Sequence, residues 1–239
     1  MNKPIGNTGN TASQLTPQLK QDILNGIFKA DEKLVMSHLK QRYGVGIGPL
    51  REALSQLVVE KLVIVENQRG FRVHPISRHE MLDLYQTRSY IEARCIVQAI
   101  QRGSVDWEAD VLAAMHRMRK AKNLINQGFT GLLQWETKHQ NFHATIASGC
   151  GSQSLLQIRQ SLYERTARYR LLWLRNSMAS NDYFNKIHSE HQQLVDCVLS
   201  RDTVRAEKLM FAHLQAPPQT LDKKLDHVVT TCHAKKPSA

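Results

Sequence analysis

The chain has 239 residues, 41% of them hydrophobic, and carries 32 Lys and Arg against 21 Asp and Glu, a formal net charge of +11 at pH 7. That balance suits one or two packed domains and excludes a disordered chain. No apolar run approaches the roughly 18 uncharged residues of a membrane span, and the polar opening stretch lacks the apolar centre of a secretory signal, so a cytoplasmic protein is expected.

The first 13 residues read as a disordered arm. In TPQLKQDILNGIF, Leu15, Leu19, Ile23 and Ile27 recur every four residues, which predicts an amphipathic helix ending near Gly26. Ser37 is placed to cap a short helix over HLKQRYG that stops at Gly44. In GPLREALSQLVVEKL, Pro49 suits a first helical turn and Leu50, Ala53, Leu54 and Leu57 form one face, predicting a third helix over 48–61. The segments LVIVE and FRVH are short and rich in β-branched residues, and NQRG between them reads as a hairpin with Gly70 in the turn. Two helices joined by a short turn and followed by a hairpin describe a winged helix-turn-helix, here assigned to 14–76.

His74-Pro75-Ile76 forms the expected linker, and Ser77 with Glu80 has the spacing of a capping box. The remainder reads almost entirely helical, over 78–102, 106–126, 131–148, 152–177, 182–200 and 203–214. Pro217-Pro218 is expected to end the last of these, with a short helix over 220–229 and a frayed tail over 231–239. The expected fold is therefore mainly α, a winged helix-turn-helix followed by an antiparallel helical bundle over 77–230.

Cys95, Cys150, Cys197 and Cys232 stand singly with no CxxC pair, so no disulfide framework or cysteine zinc site is signalled. The surplus of basic residues suits phosphate binding. It singles out neither half of the chain, however, with 10 Lys and Arg against 6 Asp and Glu up to Ser77. His139 and His143 are four apart on a predicted helix, so their imidazoles share one face and can chelate one ion.

GPLREALSQLVVEKLVIVENQRGFRV resembles the helix-turn-helix and wing of GntR-type bacterial regulators. The helical remainder, with HQNFH, EHQQL and a later HL, resembles the FCD effector domain of the FadR subfamily. The resemblance implies a homodimeric transcriptional repressor that binds a palindromic double-stranded operator. It implies that a small carboxylate effector acts on a carboxylate or γ-aminobutyrate-type catabolic operon. The family reads DNA through an Arg at the start of the third helix, a second Arg one turn on, and a wing glycine. Arg51 and Gly70 match the latter two, while Ile47 stands where the first Arg is usual, trading a guanine donor for a group that can touch only a thymine methyl. Gln56 is a further base-contact candidate, and Lys40, Arg42, Arg69 and Arg72 are candidate phosphate binders or simple surface charges.

His191 and His213 fall where the family places its remaining metal ligands, giving a set of four with His139 and His143. Four nitrogens suit zinc first, with nickel or another transition metal as alternatives. Arg88, in the family's Arg-xxx-Glu pair with Glu92, is expected either to clamp the effector or to form an intrahelical salt bridge. Trp135, Trp173, Tyr163 and Tyr169 are candidates for lining the cavity or for ordinary core, and Arg165, Arg168, Arg170 and Arg175 form a basic stripe. The competing expectation is a metal-dependent helical enzyme with an appended nucleic-acid-binding module. Glu136 and Glu190 would be its nearest carboxylates, although neither has HExxH spacing.

Overall fold

A computed structural model describes residues 12–66, 70–177 and 181–233 of the chain. Two compact units emerge, Met1–Ser77 and Arg78–Ala239.

The first unit runs α1 (Ala12–Leu24), β1 (Lys33–Leu34), α2 (Met36–Tyr43), α3 (Ile47–Val59), β2 (Val63–Val65) and β3 (Phe71–Val73). Leu15, Leu19 and Ile23 of α1 are buried against Leu50, Ala53, Leu54 and Leu57 of α3, joined by Leu39, Tyr43, Leu34, Val63 and Val73. The fourth residue of the α1 stripe departs from expectation. The helix ends at Leu24, Gly26 turns the chain at φ 71, and Ile27 is left 51% exposed. Helix α2 begins one residue before Ser37, and its N-cap is Val35 with no side-chain cap, while Gly44 takes the expected left-handed exit at φ 65. Helix α3 ends at Val59 because Lys61 itself adopts φ 60 and the Leu62 amide donates to the Leu57 carbonyl at 3.0 Å.

The hairpin pairs Val63 with Val73, Ile64 with Arg72 and Val65 with Phe71. Its β3 also pairs with β1, Lys33 opposite Arg72 and Leu34 opposite Phe71, so the sheet has order β1-β3-β2. The two residues of β1 are too short a run to show period-two alternation, which is why the sequence alone does not announce them.

The second unit comprises α4 (Arg78–Arg102), α5 (Val105–Ala121), a 3-10 segment Lys122–Gln127, α6 (Gly128–Ser148), α7 (Gln153–Ser177), α8 (Asn181–Leu199) and α9 (Thr203–His233). Ser104 caps α5 by accepting from the Trp107 amide at 3.2 Å. The expected helix over 106–126 instead breaks at Ala121 into the 3-10 segment, and Gly128, at φ 78, begins α6 three residues before the expected start. The core is built from Cys95, Ile96, Ala99 and Ile100 of α4, Val111, Met115 and Met118 of α5, Phe142 and Ile146 of α6, Leu194 and Val198 of α8, and Ala206 and Met210 of α9.

The largest departure is at Pro217-Pro218, which lie inside α9 rather than ending it. Each proline lacks an amide, so the carbonyls of His213 and Leu214 lose their usual helical donors. Tertiary contacts offset that loss. Leu214 and Pro218 are buried, and Gln215 Nε2 donates to Ser89 Oγ on α4 at 2.9 Å. Among the described elements, α4 and α9 pack together more extensively than any other pair.

Candidate metal centre and nucleic-acid interface

Three helices of the second unit bring the four histidines together. His139 and His143 are one turn apart on α6, His191 comes from α8 and His213 from α9. His143 Nε2 lies 3.1 Å from His139 Nε2 and 3.2 Å from His191 Nε2, and His191 Nε2 lies 3.2 Å from His213 Nε2. All four donor nitrogens fall within 4.8 Å of one another. A zinc with Zn–N bonds of about 2.0–2.1 Å holds tetrahedral donors about 3.3 Å apart, so these edges fit a chelated ion.

The protonation chemistry fits as well. Burial lowers His139 and takes His143 and His191 well below the usual histidine range, with the neighbouring histidines adding to the effect on the latter two. Neutral imidazoles are the ligating form. Two rings are oriented from behind by carboxylates: His139 Nδ1 donates to Glu136 Oε2 at 3.2 Å, and His213 Nδ1 to Glu190 Oε2 at 2.7 Å. With Nδ1 protonated, Nε2 is left as the electron-pair donor facing the centre. Trp135 stacks on His139 at 4.9 Å, nearly parallel, and Phe184 meets Trp135 edge-on, fixing the ring plane.

Beside the imidazoles lies a cavity of about 90 Å³, lined by Tyr85, Arg88, Arg170, Trp173, Ile187 and Pro217 with His139, His143 and His213. Arg88 is 1% exposed and forms the intrahelical salt bridge that was one of its two expected roles. Its Nε and Nη2 donate to Glu92 Oε1 at 3.2 and 3.1 Å and its Nη1 to Thr166 Oγ1 at 3.0 Å, while the residue also lines the cavity. Glu92 Oε2 accepts from Arg159 Nε at 2.7 Å. Burial pulls the Arg88 guanidinium below its usual range against the opposing pull of Glu92.

Among the described side chains of the basic stripe, Arg170 is the one that reaches the cavity. Its Nε sits 2.6 Å from Glu136 Oε1 and its Nη2 donates to Tyr163 Oη at 3.0 Å, while Nη1 has no hydrogen-bond partner. Burial alone would raise the Glu136 carboxyl, but Arg170, helped by His139 and Gln140, outweighs it and holds the group down to about 2. Arg165 and Arg168 are directed instead to Glu80, where Tyr169 Oη also donates at 2.8 Å, so Tyr169 does not line the cavity. Tyr163 lies under both guanidinium groups, 5.3 Å from Arg88 and 4.6 Å from Arg170.

Tyr85 was missed in the sequence. Its Oη is buried without a hydrogen-bond partner, and burial pushes the phenol up to about 12. The signal was there, since Tyr85 precedes Arg88 by three residues and shares its helical face.

In the first unit, Arg51 and Gln56 are exposed on α3 outside its buried face, and Ile47 is 54% exposed at the helix start. Lys40 is exposed on α2. Arg42 is held by Asp22 at 2.9 Å and lies over the Phe28 and Tyr43 rings. Arg72 is held by Glu66 at 2.9 Å and donates to the Asp31 carbonyl at 2.8 Å. Both therefore have partners within the domain. Arg69 lies outside the described residues. Gly70 has φ 123, which L side chains rarely adopt, and an added Cβ would meet nothing within 4 Å, so backbone conformation alone calls for glycine there.

Comparison with known proteins agrees with both halves of the chain. The model of bacterial regulatory proteins of the gntR family matches residues 11–73, and that of the FCD domain matches residues 83–216. The chain is 48% identical over 199 residues to the HTH-type transcriptional repressor GlaR of Escherichia coli K12, covering 83% of this chain and 90% of that protein. It is 35% identical over 222 residues to the HTH-type regulator BphR of Paraburkholderia xenovorans, covering 89% and 86%. Among solved structures, Escherichia coli McbR superposes with a TM-score of 0.72 at 17% identity over 90% of this chain and 98% of that one, a likeness of fold. These relatives are transcriptional regulators, which removes the metal-dependent enzyme as an account of the chain. With a winged helix-turn-helix followed by a helical FCD domain, the protein belongs to the GntR family of bacterial regulators.

Proposed function

We propose that the protein is a cytoplasmic, homodimeric repressor whose affinity for a palindromic operator is set by a small carboxylate bound beside a zinc ion in the FCD domain. The observation that carries this reading is the convergence of four imidazoles, three of which line a cavity with unused buried donors, Tyr85 Oη and Arg170 Nη1. His139, His143, His191 and His213 would hold the metal, which when bound supplies a Lewis-acidic site for one carboxylate. Four nitrogen donors favour zinc, or nickel in its place, over magnesium or calcium.

The chain's own residues define the rest of the pocket. Buried Arg88, Arg159 and Arg170 face the two buried carboxylates Glu92 and Glu136, leaving one positive charge in excess before any metal is counted. An anion entering the cavity is thus favoured, and guanidinium groups with Tyr85 would receive a second carboxylate or other acceptor at its far end. Short dicarboxylates fit this arrangement, as does a carboxylate of the γ-aminobutyrate type taken through its single acid group. A catabolic operon for such acids is the regulated target on this reading, and the likeness to the repressor GlaR supports the sign of regulation.

On the DNA side, Arg51, Gln56 and Ile47 would meet base edges in the major groove, with the Gly70 wing at the adjacent backbone. The four candidate basic residues Lys40, Arg42, Arg69 and Arg72 would supply phosphate contacts, Arg42 and Arg72 by exchanging their present partners. One winged helix per chain calls for a partner on the second half-site, one DNA turn away. Fluorescence anisotropy on the DNA upstream of the protein's own gene tests the reading. Arg51→Ala should weaken specific binding by about 1–3 kcal/mol, roughly 5- to 150-fold. An unchanged sequence-specific affinity would overturn the role of Arg51. Titration of succinate, glutarate and γ-aminobutyrate with and without a chelator should shift the affinity only when metal is present; metal-independent shifts would overturn the effector site.

A further inference from the structure

The two carboxylates behind the histidines differ in a way that assigns them different tasks. Glu190 reaches His213 from the surface, with its side chain 23% exposed and Lys186 at 4.0 Å. Glu136 is enclosed, and all its contacts are internal. Oε2 accepts from His139 Nδ1 at 3.2 Å, Oε1 accepts from Gln140 Nε2 at 2.5 Å, and Arg170 Nε of α7 lies 2.6 Å from Oε1. Gln140 and His139 are on the same helix as Glu136, one turn away, so they cannot fix where α6 presents the carboxylate relative to the rest of the bundle. Arg170 can, because it is the contact from another helix and because its Nη2 is itself held by Tyr163 Oη at 3.0 Å.

A carboxylate enclosed in protein needs an opposite charge at close range, and removal of one partner from a buried pair is strongly disfavoured. Tyr163, Arg170, Glu136 and His139 therefore form one continuous chain of polar contacts that ends at a nitrogen of the four-imidazole centre. From this geometry we propose that Arg170 is a positioning residue for the metal ligand His139 and acts through Glu136, so that metal affinity depends on a side chain that makes no contact with the metal's donor atoms.

This inference rests on the reading of the four histidines as a metal site, and the test separates the two. Zinc affinity of the full-length protein is measured by competition with a chromophoric chelator, without effector or DNA, alongside far-UV circular dichroism. Glu136→Gln should weaken zinc by about 10- to 100-fold, the usual effect of removing a partner that orients a ligand. Arg170→Met should weaken it by at least about 10-fold, and Arg170→Lys, which keeps the charge and carries the test if the methionine variant does not fold, by less.

The decisive measurement is the double variant. In the Glu136→Gln background, Arg170→Met should cost less than about threefold more, whereas in a Glu190→Gln background its full effect should persist. Additive losses in both backgrounds, or a Glu136→Gln protein that binds zinc as wild type does, overturn the positioning role alone. A wild type that binds zinc no more tightly than His143→Ala overturns the metal site and the positioning role together.

Discussion

His143 is the most exacting place to perturb the cluster, because its Nε2 is the nitrogen in contact with both His139 and His191, at 3.1 and 3.2 Å. Structural zinc sites with four ligands bind with about 10–16 kcal/mol, or about 3 kcal/mol per ligand, so His143→Ala should weaken zinc by at least about 100-fold. A ligand that binds only the native state stabilises it by about 2.7 kcal/mol at 100 times its dissociation constant. At about 2–4 °C per kcal/mol for a chain of this size, the wild type should melt about 5–11 °C higher with zinc than with chelator. In His143→Ala at the same zinc concentration, the concentration only equals the weakened dissociation constant. The gain falls to about 0.4 kcal/mol, or 1–2 °C. Differential scanning fluorimetry on untagged protein reads both numbers, with His116→Ala, an exposed histidine away from the cluster, as the control that keeps the full shift. A zinc-dependent shift of equal size in wild type and His143→Ala would refute the geometry on which the site is built.

Two further outcomes test the buried electrostatics. Glu92 is shared by Arg88 and Arg159, so Glu92→Gln leaves two enclosed guanidinium groups without a counter-charge and should destabilise the protein by about 3–5 kcal/mol in urea unfolding; a loss under 1 kcal/mol would contradict the network. Burial, with Cys150 and Glu92 nearby, pushes the Cys95 thiol up to about 12. Its thiolate fraction at pH 8 is on the order of 10⁻⁴, and native alkylation by iodoacetamide, followed by peptide mass spectrometry, should leave Cys95 unmodified. Because the folded-state value is raised, the stability linked to this group is complete below about pH 9 and declines as pH climbs toward 12. Modification of native Cys95 at the rate of a free thiol would contradict its burial.

Much of the architecture was legible because it is written in local periodicities. The spacing of Leu50, Ala53, Leu54 and Leu57 is enough to place a helix and name its buried face, and Arg51 and Gln56 then fall outside that face by geometry alone. Gly44 and Gly70 announced positive backbone angles that only glycine adopts at little cost. His139 and His143 announced a shared helical face. Where local signals misled, a non-local contact prevailed. Pro217-Pro218 reads as a stop because proline removes an amide, yet α9 continues through them on its packing along α4. Ser37 has the chemistry of a cap but the helix starts one residue earlier, and β1 becomes a strand only because β3 is available to pair with it.

The sequence by itself therefore determined the succession of elements, the two-part organisation and the residue types able to ligate a metal or contact DNA, since each of these depends on neighbours within one or two helical turns. Tertiary structure decided which of those residues meet. His191 and His213 stand 48 and 70 residues beyond His143, and only the packing of α6, α8 and α9 brings their nitrogens within bonding range of one ion. The same packing chose Arg170 from a stripe of similar arginines, sent Arg168 to Glu80 instead, and left Tyr85 with an unused hydroxyl in the cavity. Hydrophobic periodicity records which face of a helix is buried but carries no information about what lies against it, so the partners of buried charge had to come from the fold.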